Sequence, residues 1–146
     1  ALYRDLANLD PDFRKARADV RAFDRAAWSA EMQTVYGPGA DAVIGLEQTA
    51  RKHDPEKRLQ NLAHLESNWD RIRDLACSVP HPDAVRTALA VAGGPTRPAE
   101  LGISKDLIAQ SLRYALELRD RYTILRLYAD LGLTDRAIGV AENLFA

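Results

Sequence analysis

The chain has 146 residues, 47% of them hydrophobic and 28% charged, which suits one folded domain and excludes the low-hydrophobicity, high-charge regime of disorder. A net charge of −1, with both signs interspersed along the chain, leaves no basic field of the kind a nucleic-acid binder presents. No apolar run approaches the eighteen or so residues of a membrane span, and no basic, apolar and cleavage regions of a signal peptide open the chain, so the expectation is a cytoplasmic protein without nucleic-acid or membrane partners.

The predicted elements are all helical. Ala1 to Leu9 places Leu2, Leu6 and Leu9 on one face but has neither a cap before it nor an initiating Met, so it reads as a helix entered in mid-course, with an apolar stripe that an upstream segment would cover. Asp10-Pro11 is a start signal, because Asp accepts from a free first-turn N–H and Pro loses no bond there. The helix it opens carries Phe13, Ala16, Val20, Phe23, Ala27 and, less regularly, Met32 on its buried stripe, up to the break at Gly37-Pro38-Gly39. From Ala40 a shorter helix with Val43, Ile44, Leu46 and Ala50 inward stops near His53, and Asp54-Pro55 starts another.

Leu59, Leu62, Leu65, Trp69, Ile72 and Leu75 then keep helical spacing, with Ser67 or Asn68 placed to cap a restart, so one bent helix or two remain open. Pro82 begins the next helix, with Val85, Leu89 and Ala92 inward, and Gly93-Gly94-Pro95 ends it. A short helical turn is predicted at Pro98 to Leu101. Ser104 should cap a long helix to about Leu118, with Ile108, Ser111, Leu112, Ala115 and Leu118 buried and Arg113, Glu117 and Arg121 facing solvent. Thr123 and Thr134 are the next caps, opening helices with Ile124, Leu127 and Leu131, then Ala137, Ile138, Ala141 and Leu144, inward, and Gly132 between them. With no sustained alternation of β-branched residues, the predicted class is all-α: an irregular bundle of about eight helices without a sheet, forming a single domain over residues 1–146.

Little in this pattern carries chemistry. Gly37, Gly39 and Ala42 match a relaxed dinucleotide fingerprint, but the preceding residues continue a helical stripe and no parallel strands follow, so the glycines read as a helix-breaking turn. His53, His64 and His81 lie too far from each other for zinc-ligand spacing. Cys77 reads as a small apolar residue, and Trp28 and Trp69 as core or interface anchors. The densest polar cluster, Arg119-Asp120-Arg121-Tyr122-Thr123, lies between two helices. Its two guanidinium forks can clamp a phosphate or carboxylate, while the plainer account pairs Glu117 with Arg121 and Asp120 with neighbouring Arg residues.

The series Gly94-Pro95-Thr96, Pro98, Glu100-Leu101-Gly102-Ile103-Ser104, Arg119-Asp120-Arg121-Tyr122-Thr123-Ile124-Leu125 and Asp130-Leu131-Gly132-Leu133 resembles sn-glycerol-1-phosphate dehydrogenases, and Asn68-Trp69 with the Arg-rich helix after it agrees. These enzymes belong to the iron-containing alcohol dehydrogenase superfamily, with an N-terminal Rossmann-like domain and a C-terminal helical domain. The resemblance implies that this chain is the helical domain of an oxidoreductase that reduces dihydroxyacetone phosphate with NAD(P)H and a divalent metal such as zinc. It also implies that the catalytic, cofactor and metal residues lie in parts absent from this sequence, so none is assigned here. The expected partners are the N-terminal dinucleotide-binding domain and, left open, a second copy in a homo-oligomer. The chain would wall one side of the active-site cleft, inactive alone, with Arg119 and Arg121 toward an anionic substrate. The competing expectation, from a different class, is a free-standing helical interaction module that binds through the apolar face of Ala1 to Leu9.

Overall fold

Caps and breakers set the helix ends in the computed structural model, which describes residues 1–145. The α-helices are α1 (Leu2–Ala7), α2 (Phe13–Arg21), α3 (Arg25–Tyr36), α4 (Ala40–Ala50), α5 (Pro55–Ser67), α6 (Trp69–Ser78), α7 (Pro82–Val91), α8 (Lys105–Tyr114), α9 (Ile124–Asp130) and α10 (Thr134–Phe145). Single 3-10 turns occupy Gly37–Gly39, Pro98–Leu101 and Ala115–Glu117. Eight of the helices have nine residues or more, and no strand occurs among the described residues, as an all-α bundle of about eight helices requires.

Three of the predicted caps act as expected. The Asp54 carboxylate accepts from Lys57 N, Ser104 Oγ from Leu107 N, and Thr123 Oγ1 from Arg126 N, each taking one first-turn N–H that has no intrahelical acceptor. Three boundaries differ. The cap of α2 is Asp12, not Asp10, so Pro11 stands before the helix rather than at its first position. The single helix expected from Pro11 to Gly37 is two helices, because Asp24 accepts from both Ala26 N and Ala27 N and restarts the chain. That restart puts Trp28 inward and leaves Ala27 exposed. Thr134 is the first residue of α10 rather than its cap, with Ala137 N bonded to Leu133 O. At Asn68 the open question resolves to two helices, although the Asn68 amide donates back to His64 O rather than capping α6.

The larger core lies where α1, α2, α5, α6, α9 and α10 meet, around Leu6, Val20, Leu62 and Tyr128, each no more than 2% exposed. Tyr128 is wholly buried and its hydroxyl donates to Asp5 Oδ2 (2.7 Å), which Arg136 also grips; that guanidinium, together with the Tyr128 hydroxyl, holds the Asp5 carboxyl below the usual carboxylate range. A smaller cluster gathers Trp28, Met32 and Val43 between α3 and α4. Trp69 anchors the larger core edge-on against Phe13 and donates from Nε1 to Leu9 O, so both tryptophans are packing anchors. Leu6 and Leu9 are buried against this core, so the chain itself covers most of the stripe that was expected to be exposed from Ala1 to Leu9.

The stretch after α6 is different. No residue of α7 is buried, and Val85, Leu89 and Ala92 face solvent instead of a core; Leu75 is exposed as well. On α8 only Ile108, Ala109 and Leu112 are half-buried among the apolar positions before Tyr114, while Ser111, Ala115 and Leu118 are exposed. The long helix expected to reach Leu118 tightens into the 3-10 turn at Ala115, which rotates Glu117 into the interior. Cys77 is exposed rather than packed.

Candidate functional site

Glu47 lies on the inner face of α4, in register with Val43 and Ala50, and is 1% exposed. Beyond the helix end Arg51 adopts a left-handed conformation (φ 51°), a backbone state that costs a non-glycine residue about 1–3 kcal/mol. The turn brings Lys52 N and His53 N onto the two Glu47 oxygens, at 2.9 and 3.0 Å. These charge-assisted bonds offset the strain and send both side chains inward.

Both then meet Glu117. His53 Nε2 lies 2.9 Å from Glu117 Oε1, and its ring stacks on Phe23 (4.6 Å between centroids, 3° between planes) with Trp28 tilted alongside. Lys52 Nζ donates to the Glu117 carbonyl (2.7 Å) and faces Glu117 Oε2 at 3.2 Å, close enough for an ion pair. Burial pushes the Glu117 carboxyl up, but the His53 hydrogen bond and the charges of His53, Lys52 and Arg126 outweigh it and hold the group below its ordinary value.

Arg126 links this group to a second one. Its Nη2 donates to Lys52 O, and its Nε lies 3.4 Å from Asp130 Oδ1, which also accepts from Arg58 Nε at 3.1 Å. Tyr122 is half-exposed through its ring, but its hydroxyl donates to Asp130 Oδ2 (3.1 Å), and burial with the Asp130 charge raises its pKa well above the ordinary tyrosine value. Three cations (Lys52, Arg58, Arg126) and three carboxylates (Glu47, Glu117, Asp130) are thus buried together. Balanced pairing is what makes such burial tolerable, since an unpaired buried charge costs several kcal/mol.

A cavity of about 220 Å³ lies against this network, lined in part by Trp28, His53, Arg58, Arg113, Glu117 and Arg126. Trp28 Nε1, His53 Nδ1, Glu117 Oε2 and Arg126 Nη1 are buried without a hydrogen-bond partner.

Arg119 and Arg121 are both exposed, on the loop between the 3-10 turn and α9, and border a separate hollow of about 240 Å³ with Thr123 and Leu125. The expected Glu117–Arg121 pair does not form, because Glu117 points the other way to Lys52 and His53. His64 is exposed, and His81 caps α7, its Nδ1 accepting from Asp83 N. Gly37 to Gly39 form a 3-10 turn between α3 and α4, with no strand before it.

Sequence reasoning passed over Glu47, Lys52, Arg58, Arg126 and Asp130. A signal was available for some of them: Glu47 and Arg58 occupy apolar register positions, Arg58 standing four residues before Leu62 and seven before Leu65.

No family model matches the chain, and no solved structure matches it. A stretch of 62 residues is 45% identical to glycerol-1-phosphate dehydrogenase [NAD(P)+] of Geobacillus stearothermophilus, which supports a relationship to that family. The match spans 42% of this chain and 15% of the relative's length. Among the described residues no three His, Cys, Asp or Glu side chains gather as a metal site. Among the described residues no helix is long and apolar enough to cross a membrane.

Proposed function

We propose that this chain is the helical part of an NAD(P)-dependent oxidoreductase resembling glycerol-1-phosphate dehydrogenase, forming one wall of an active-site cleft and inactive alone. The observation that carries the reading is the 45% identity over 62 residues to an enzyme of that name. The nicotinamide cofactor and a metal such as zinc would be held by a dinucleotide-binding domain and by residues outside this sequence, since the described residues offer neither a βαβ unit nor a cluster of metal-ligating side chains.

The part assigned to this chain is to exclude water from the cleft and to present Arg119 and Arg121 to an anionic substrate. What supports it is that both guanidiniums are exposed on one loop and neither is engaged by a carboxylate among the described residues. The test is NAD(P)H-dependent reduction of dihydroxyacetone phosphate, with and without zinc, by this chain and by the protein of the complete reading frame. Activity confined to the complete protein is expected. No activity in either would overturn the reading, and an unchanged kcat/KM in Arg119→Ala and Arg121→Ala would remove the substrate role of the two arginines.

A helical interaction module is the second reading. It is favoured by the uncovered Val85 and Leu89 of α7 rather than by the face of Ala1 to Leu9, where Leu6 and Leu9 are buried.

A further inference from the structure

The cavity beside the buried charge network has more hydrogen-bond donors than acceptors left to use. Of its two carboxylates, Glu31 already accepts from the Tyr114 hydroxyl (2.7 Å), and Glu117 is bonded to His53 through Oε1, while its Oε2, 3.2 Å from Lys52 Nζ, has no hydrogen-bond partner and is the one buried acceptor left open there. Its donors are less committed. Trp28 Nε1 and Arg126 Nη1 have no partner although Trp28 is 7% and Arg126 5% exposed, and Arg113 holds only Asp135, through one nitrogen at 2.5 Å. A buried donor left unpaired is costly, more so when it is charged.

A further element points to the same place. Thr134, the first residue of α10, lines the cavity, and the first-turn N–H groups of a helix have no intrahelical acceptor and carry the positive end of its dipole. Guanidinium, indole N–H and helix N-terminus therefore border one space. All of them ask for acceptor oxygens and negative charge, and none suits a cation. Size narrows the ligand further: about 220 Å³ lies below the roughly 300–1,000 Å³ of sites for drug-sized molecules, yet well above the ~10–15 Å³ that one water needs.

We propose that this cavity is a binding site for a small oxyanion, phosphate or the phosphate end of a small metabolite, held by Arg126, Arg113, the Trp28 indole and the N-terminus of α10. The site is separate from Arg119 and Arg121 and does not depend on the dehydrogenase reading. The arginines already share their charge with Asp130 and Asp135, so geometry rather than excess charge drives the binding.

Trp28 supplies the readout. In the chain carrying Trp69→Phe, which leaves Trp28 as the only indole, its emission is followed as inorganic phosphate or glycerol 1-phosphate is added, with sodium chloride at matched ionic strength as control. A saturable change with phosphate and none with chloride is expected. Arg113→Gln, at a half-exposed rim position, should weaken binding about tenfold, the loss of one charge-assisted bond at the low end of its range. Lys15→Met, at an exposed pair that does not line the cavity, should leave binding unchanged. Tighter binding of glycerol 1-phosphate would assign the anion to a larger molecule, and equal binding to the free ion. A response to phosphate no larger than to chloride, or one that Arg113→Gln leaves intact, would overturn the proposal.

Discussion

Asp130 is wholly buried, and its two oxygens accept from Arg58 Nε, from the Tyr122 hydroxyl and, at a longer 3.4 Å, face Arg126 Nε. Asp130→Asn keeps the shape and one carbonyl acceptor but leaves two buried guanidiniums without their counter-charge. Breaking a buried pair by removing one partner costs about 3–5 kcal/mol, a large share of the ~5–15 kcal/mol that stabilises a typical domain. For a chain of this size that corresponds to a fall in Tm of roughly 6–20 °C. Two controls separate charge from contact. Tyr122→Phe removes one hydrogen bond to the same carboxylate and should cost about 1 kcal/mol. Lys15→Met removes the exposed Lys15–Asp19 pair (2.8 Å) and should cost no more than about 0.5 kcal/mol. Urea unfolding followed by circular dichroism measures all three. If Asp130→Asn falls within about 1 kcal/mol of Lys15→Met, the buried network is not the stabilising element described here.

Gly132 has φ +70°, and a Cβ there would stand 2.5 Å from Asp19 Oδ2. Because Asp19 is a flexible side chain that can swing away at the expense of its exposed pair with Lys15, the backbone term dominates. Gly132→Ala should cost about 1 kcal/mol or more, and an Asp19→Ala background that restores all of it would refute this order of effects. Glu117, held below the ordinary glutamate value in the fold, binds fewer protons folded than unfolded; its contribution is present above that ordinary value and is lost as pH falls through the folded pKa. Urea midpoints measured from pH 7 downward should therefore fall more steeply for the wild type than for Glu117→Gln, and parallel curves would count against the assignment. Leu62→Ala, at a site with no exposure, should cost about 2–5 kcal/mol, whereas Leu89→Ala on the uncovered α7 should stay within about 0.5 kcal/mol; equal losses would mean that α7 is packed.

The helices were legible where one local rule acts alone. Asp54-Pro55, Ser104 and Thr123 cap because a short polar side chain can reach an N–H within three residues, and that reach needs no tertiary context. The helix boundary near residue 22 was not legible, because Asp24 competes with a hydrophobic stripe that continues smoothly through it. The uncovered face of α7 was hidden for a similar reason: periodicity at Val85 and Leu89 describes an amphipathic helix and says nothing about whether a partner packs on it. The Arg119–Arg121 pair was found from local charge density, while the buried network was missed because its members are scattered from Glu47 to Asp130.

From the amino-acid sequence alone came the all-helical class, most of the caps and breaks, and the residues on which a likeness to a dehydrogenase family rests. All of these depend on neighbours within a turn or two of helix, or on residue order itself. Only the tertiary structure decided which charges go inside. Glu117 occupies a position that helical phase assigns to solvent, yet the 3-10 turn at Ala115 and the left-handed Arg51 bring it to Lys52 and His53, 65 and 64 residues away in the chain. A buried ion is stable only if its partners arrive with it, and that is a property of two distant segments meeting rather than of either one.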